Sequence, residues 1–169
     1  MISLHELDSK SISHEYISAM KNKSSIQFTG ARFVDWDVEK IRDYVEINSR
    51  SEDSILFGVF NSSTHLGNVR IHSIDRRNST CELGIIIFDQ VYRGKGLGSQ
   101  ALRLAINYVF DELKVTRIMA DYFEENSASE RLFYKNGFLI EGRFKNHFKN
   151  LDGTYSNSVR VALNQEGER

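Results

Sequence analysis

The stretch Gln90-Val91-Tyr92-Arg93-Gly94-Lys95-Gly96-Leu97-Gly98-Ser99 runs from an apolar segment, through three glycines, into a segment of helical period. Upstream, Cys81-Glu82-Leu83-Gly84-Ile85-Ile86-Ile87-Phe88 is rich in β-branched residues; downstream, Leu97, Ala101, Leu104, Ala105, Tyr108 and Val109 recur at the spacing of one helix face. Strand, glycine loop and helix follow in that order. The first turn of a helix carries N–H groups without intrahelical partners, and the helix dipole adds partial positive charge, so phosphate oxygens bind there. Gly94, Gly96 and Gly98 let an anion approach the backbone, while Arg93 and Lys95 add full charge. The stretch therefore reads as a cradle for a diphosphate.

Spacing narrows the ligand. A nucleoside-triphosphate loop needs Gly-Lys followed by Ser or Thr, and Gly94-Lys95 is followed by Gly96. A dinucleotide fingerprint needs its third glycine one position later than Gly98, and it opens its domain rather than following a long N-terminal half. Arg93, Gly96 and Gly98 instead satisfy the pattern Arg/Gln-x-x-Gly-x-Gly/Ala, and a second block follows, Asn126-Ser127-Ala128-Ser129-Glu130-Arg131-Leu132-Phe133-Tyr134-Lys135-Asn136-Gly137-Phe138. With these two blocks in order, residues 54 to 163 resemble the GNAT superfamily of acyl-CoA-dependent N-acetyltransferases, and the closing segment Glu141-Gly142-Arg143 through Asp152-Gly153-Thr154-Tyr155 resembles its ribosomal-protein-acetyltransferase-like branch.

The resemblance implies acetyl-CoA as cosubstrate. Its pyrophosphate falls on Arg93, Gly94, Lys95, Gly96, Leu97, Gly98 and Ser99, and its pantetheine along the backbone of Ile86, Ile87 and Phe88, where an unpaired amide would polarise the thioester. Asn126 matches the asparagine that meets the pantetheine arm, with helix capping as its other use. Tyr134 matches the tyrosine that acts as general acid to the thiolate, with a tyrosine at the core margin as the plainer reading.

Composition agrees with an ordinary globular chain. Its 169 residues are 40% hydrophobic and 27% charged with net charge −1, which suits one domain over residues 1–169 and gives no footprint for nucleic acid or an anionic membrane. Cys81 is the only cysteine, so no intrachain disulfide forms, and no apolar run reaches the length of a membrane span. A cytoplasmic location, a small-molecule amine as partner, no nucleic acid and no membrane are expected, and a homodimer is compatible with all of this.

The remaining segments read as Ile2 to Leu7 strand, His14 to Asn22 helix, and a helix through Asn48 capped by Asp37. A hairpin of Ile55 to Phe60 and His65 to Ser73 precedes the strand Thr80 to Phe88, and these three strands are expected as antiparallel neighbours. Arg117 to Phe123 is a strand; Ser127 to Asn136 is a helix opened by the capping box Ser127-x-x-Glu130 and closed by Gly137. Phe138 to Lys149 and Thr154 to Leu163 flank the hairpin signal Asp152-Gly153. The expected fold is mixed α/β: a twisted, largely antiparallel sheet of about seven strands with one parallel crossover and helices on both faces.

Acetyl transfer to an amine requires the amine to lose a proton. A lysine-like amine is neutral in about one molecule in 2,500 at pH 7, a cost of roughly 4.6 kcal/mol, against about 1 kcal/mol for an N-terminal amine. Glu82 is the candidate base, as the only carboxylate in the apolar strand leading to the cradle; an outward-facing strand carboxylate is the plainer reading, and Asp89, Asp121, Glu124 and Glu125 are the alternatives. Arg32, Trp36 and Arg70 are candidates for the acceptor site, with packing or surface charge as their alternative use. The five histidines share no element at metal-ligand spacing, so no metal is expected. His147 lies on a basic strand face that could meet an anionic acceptor, and Cys81 reads as strand packing. Two functions from different classes remain: an N-acetyltransferase, acting on a small amine such as an amino sugar or polyamine or on a protein N-terminus, and a non-catalytic acyl-CoA-binding module.

Overall fold

The computed structural model describes residues 1–10, 12–92 and 94–166. One seven-stranded sheet has β1 (Ile2–Glu6), β2 (Ile55–Asn61), β3 (Thr64–Asp75), β4 (Thr80–Ile87), β5 (Arg117–Phe123), β6 (Leu139–Lys149) and β7 (Tyr155–Asn164) in the order β1-β2-β3-β4-β5-β7-β6. All neighbours are antiparallel except β4 and β5, which the intervening helix makes parallel.

Helices α1 (His14–Lys21), α2 (Lys23–Ile26) and α3 (Val38–Ser49) cover one face; α4 (Leu97–Asp111) and α5 (Ser127–Lys135) cover the other. Strand alternation sorts the core accordingly. Val69, Ile71, Cys81 and Leu83 pack with Ala101, Leu102, Ala105 and Val109 of α4, whereas Leu56 and Phe88 pack with Tyr16 of α1 and Ile41 and Val45 of α3. The Asp37 carboxylate accepts the N–H of Lys40 at 2.8 Å and opens α3 as expected.

Two details differ from the sequence reading. The cap of α5 is Asn126 rather than Ser127: Asn126 Oδ1 accepts the Ser129 N–H at 3.1 Å and the Asn126 carbonyl accepts the Glu130 N–H, which leaves no donor for a box built one residue later. The short α2 and a 3-10 turn at Gly30–Phe33 lack the repeated apolar spacing that marks the longer helices.

The feature that positions the site is a split. β4 and β5 pair only at Thr80/Arg117, Cys81/Ile118 and Glu82/Met119. Beyond that last rung β4 stays with β3 and β5 stays with β7, so the edge of β4 from Leu83 to Ile86 has no ladder partner on its β5 side.

Candidate active site

The glycine loop leads into the α4 N-terminus as the sequence predicts. A 3-10 turn at Gln90–Tyr92 is closed by Asp89, whose carboxylate accepts the Val91 N–H at 2.9 Å. Gly94 and Gly96 have φ of 74° and 78°, and a Cβ on either would meet nothing within 4 Å, so both face open space. A Cβ on Gly98 would stand 3.6 Å from Ile87 and 3.7 Å from Leu132, filling the gap between the end of β4 and α5. Lys95 is exposed beside this cradle, and Arg93 lies outside the described residues. Ser99 is buried, and its hydroxyl and the Asn136 amide group lie 3.1–3.2 Å apart, tying the start of α4 to the end of α5.

Tyr134 is the penultimate residue of α5 and is 78% exposed, while its neighbour Phe133 fills the core. It stands on the α4 side of the sheet. Glu82 stands on the other side: it shares its strand face with Ile86 and Phe88, which pack toward α1 and α3. The split lies between the two.

Charge pairing singles out Glu82. Arg160 grips Asp121 through two bonds of 3.0 and 2.5 Å, and Glu124 binds Arg143 and accepts from Asn157 at 2.8 Å. Glu125 accepts from Ser156 at 2.8 Å, Glu141 pairs with Arg117, and Asp89 is spent on its turn. The half-buried Glu82 carboxylate has no hydrogen bond or ion pair among the described residues, and it sits at the last rung before the split.

The acceptor-site candidates lie on the Glu82 side. Arg70 Nε donates to Asn48 Oδ1 at 2.8 Å and Ser54 Oγ at 3.1 Å, and its guanidinium lies 5.7 Å from the Tyr44 ring. Trp36 meets the same Tyr44 edge-on at 5.7 Å and donates Nε1–H to Ala31 O at 2.8 Å. Tyr44 of α3 thus joins the two.

Arg32 is only 6% exposed and lies between Phe33 and Phe123; its terminal nitrogens donate to Thr29 O at 2.5 Å and Lys149 O at 2.6 Å. It staples the loop before α3 to the end of β6. Burial lowers its pKa from the usual guanidinium value. His147, on the same hairpin, hydrogen-bonds through Nδ1 to Ser158 Oγ at 2.6 Å and stacks on Phe148.

Residues 4–139 match the family described as "Acetyltransferase (GNAT) domain", and the chain belongs to that family. It is accordingly an N-acetyltransferase by class. It is 32% identical over 135 residues to the Probable N-acetyltransferase YjcK of Bacillus subtilis, covering 78% of this chain and 73% of that one. Spermidine N(1)-acetyltransferase of Escherichia coli is 26% identical over 98% of this chain and 89% of its own length. The fold superposes on RimL, a ribosomal L7/L12 α-N-protein acetyltransferase solved with coenzyme A, with a TM-score of 0.88 over 99% of this chain and 96% of that one at 19% identity.

Proposed function

We propose that this chain transfers acetyl from acetyl-CoA to the primary amine of a small molecule, by direct attack within a ternary complex. The carrying observation is the lone Glu82 carboxylate at the apex of the split, on the sheet face opposite the one that carries Tyr134. The cradle fits the cosubstrate: open space at two left-handed glycines, a helix N-terminus behind them, Lys95 beside them, and an unladdered β4 edge leading away. Bound there, acetyl-CoA supplies an activated acetyl carbonyl at the split.

The chain's own groups do the rest. Glu82 accepts the proton of the incoming ammonium; the N–H groups of the β4 edge donate to the acetyl oxygen as charge develops on it; and the Tyr134 hydroxyl donates to the departing sulfur. Asn126 has Oδ1 committed to its cap and its Nδ2 free to donate to the pantetheine arm. Arg70, Trp36 and Tyr44 border the acceptor, and Arg32 fixes the loop beside it.

The charge pairing also bears on the acceptor. The carboxylates of the β5–β7 side, Asp121, Glu124 and Glu141, already pair with arginine. We therefore favour an amine that presents a single ammonium at the thioester, such as an amino sugar, over a polyamine. The test is thiol release from acetyl-CoA with purified protein and a panel of amino sugars, polyamines and N-terminal peptides. Turnover is expected with an amino sugar and is expected to fall sharply in Glu82→Gln. Preference for spermidine or a peptide would overturn the acceptor reading, and tight CoA binding without turnover on any amine would overturn the enzymatic one.

A further inference from the structure

We propose that His72 forms a proton relay with Glu82, the imidazole taking from the carboxylate the proton removed from the acceptor amine and passing it to solvent beside Ser73. This rests on the reading of Glu82 as base. His72 of β3 is the direct register partner of Glu82 of β4, and both side chains stand on the acceptor face. Directly opposed side chains have Cβ atoms about 4.5–5.5 Å apart, and because the pair makes no direct hydrogen bond or ion pair, the relay joins imidazole and carboxylate through one water. Among the described residues the carboxylate makes no hydrogen bond or ion pair, and His72 Nε2 makes no hydrogen bond. His72 Nδ1 lies 3.1 Å from Ser73 Oγ, at an exposed residue with φ of 50°. One nitrogen is thus available toward the base while the other is placed toward water.

A break in the ladder makes this alignment. Near the turn Asp75 pairs with Thr80, and continuing that register would set His72 opposite Leu83, whose side chain belongs to the other face. The irregularity between His72 and Asp75 slips the register by one residue and brings Glu82 opposite instead. Bulges recur where a sheet re-aims a functional side chain.

The charges around the imidazole suit a transient proton. Arg70 on the same strand faces it, with Glu82 from β4 and Asp53 from the α3–β2 connection; Arg160 of β7, itself held by Asp121, acts on Glu82. Burial and then Arg70 pull the His72 pKa below the usual imidazole range, against Glu82 and Asp53, so the resting side chain is neutral and can accept. In the full step the amine nitrogen bonds the acetyl carbon and the C–S bond breaks with its pair on sulfur. One nitrogen proton leaves through Glu82 and His72. Tyr134 gives its proton to sulfur and regains the second nitrogen proton, so ammonium and thioester become amide, thiol and one released proton.

The test compares pH–rate profiles of kcat for wild type, His72→Gln and Glu82→Gln, with and without imidazole in the buffer, and follows the His72 ring by NMR titration in wild type and Glu82→Gln. His72→Gln is expected to lose about a hundredfold in kcat together with the limb that tracks the His72 titration, at unchanged KM for acetyl-CoA, and to recover turnover with added imidazole. The His72 titration is expected to move to lower pH in Glu82→Gln. A Glu82→Gln enzyme at wild-type rate overturns the base itself. An inactive Glu82→Gln beside a fully active His72→Gln, or a His72 titration indifferent to Glu82, overturns the relay alone.

Discussion

Gly67→Ala tests whether the β4 edge carries the cosubstrate. A Cβ on Gly67 would stand 2.0 Å from the Ile86 carbonyl oxygen and 3.0 Å from Ile87 Cα. The two strands must part by about 1.4 Å to restore an ordinary non-bonded distance. The rungs Gly67/Ile87 and Asn68/Ile86 would absorb that movement. Overpacking costs about 1–3 kcal/mol and two weakened ladder bonds about 1 kcal/mol each, so a loss of about 3–5 kcal/mol is expected. For a chain of this size that lowers Tm by about 6–20 °C. Because the displaced atoms belong to the proposed pantetheine strand, KM for acetyl-CoA is expected to rise as well, measured below the lowered Tm. Gly84→Ala is the control: its Cβ meets nothing within 4 Å and projects from the acceptor face beside Glu82, so Tm and the acetyl-CoA KM should hold while the acceptor KM rises. A Gly67→Ala protein that melts early but keeps its acetyl-CoA KM would refute the assignment of Ile86 and Ile87, and one that melts normally would refute the close approach itself.

Three further outcomes are expected. Tyr134→Phe should lower kcat by at least tenfold with Tm and acetyl-CoA KM unchanged, since the exposed hydroxyl makes no contact that stability depends on; steady-state kinetics with the identified acceptor measure it. Burial pushes the Cys81 thiol up to about 12, with a small push from Glu82, so its labelling by a thiol reagent at pH 8 should follow global unfolding rather than proceed in the native state. His65 is buried between Ser13 at 2.7 Å and Asn68 at 2.8 Å, and burial lowers its pKa in the folded state. The unfolded chain therefore binds this proton first as pH falls through about 6.5, and stability drops in that direction. Melting curves from pH 7.5 to 5 should show a smaller decline in His65→Gln than in wild type.

The cradle and the helix that carries Tyr134 are legible in sequence because local chemistry writes them: glycines at the left-handed positions, an asparagine cap, an apolar period. Arg32 and Arg70 show the limit of such reading. Their partners, Lys149 and Asn48, lie 117 and 22 residues away, and only the packed structure reveals that one guanidinium staples a loop to β6 and the other is held against Asn48, Ser54 and Tyr44. The selection of Glu82 among the acidic candidates is equally non-local. It depends on β7 inserting between β5 and β6, which brings Arg160 to Asp121 across 39 residues and sets Arg143 and Ser156 of the β6–β7 hairpin against Glu124 and Glu125; only Asp89 is satisfied locally, by its own turn. His72 was readable in part, since alternation puts it on one face with Arg70, but a bulge that no local signal marks decides what it meets.

The split gives the proposed acid and base, Tyr134 and Glu82, access to one another from different faces of the sheet. If β4 and β5 paired along their full length, the sheet would be a closed wall: α4 and α5 would present Tyr134 and the cradle on one side, α3 and the stapled loop would present Glu82 and His72 on the other, and no atom would pass between them. Ending the pairing at Glu82/Met119 opens the wall next to the unpaired carboxylate and frees the β4 edge that an extended thioester arm needs. In the mechanism we propose, an ammonium arriving from the α3 side would meet Glu82 before it meets the carbonyl, and the thiolate would form on the side that carries Tyr134. The proton leaving through His72 would then be kept apart from the one that Tyr134 delivers to sulfur. A substitution that lengthens the β4–β5 pairing would therefore abolish transfer with every side chain of the site intact.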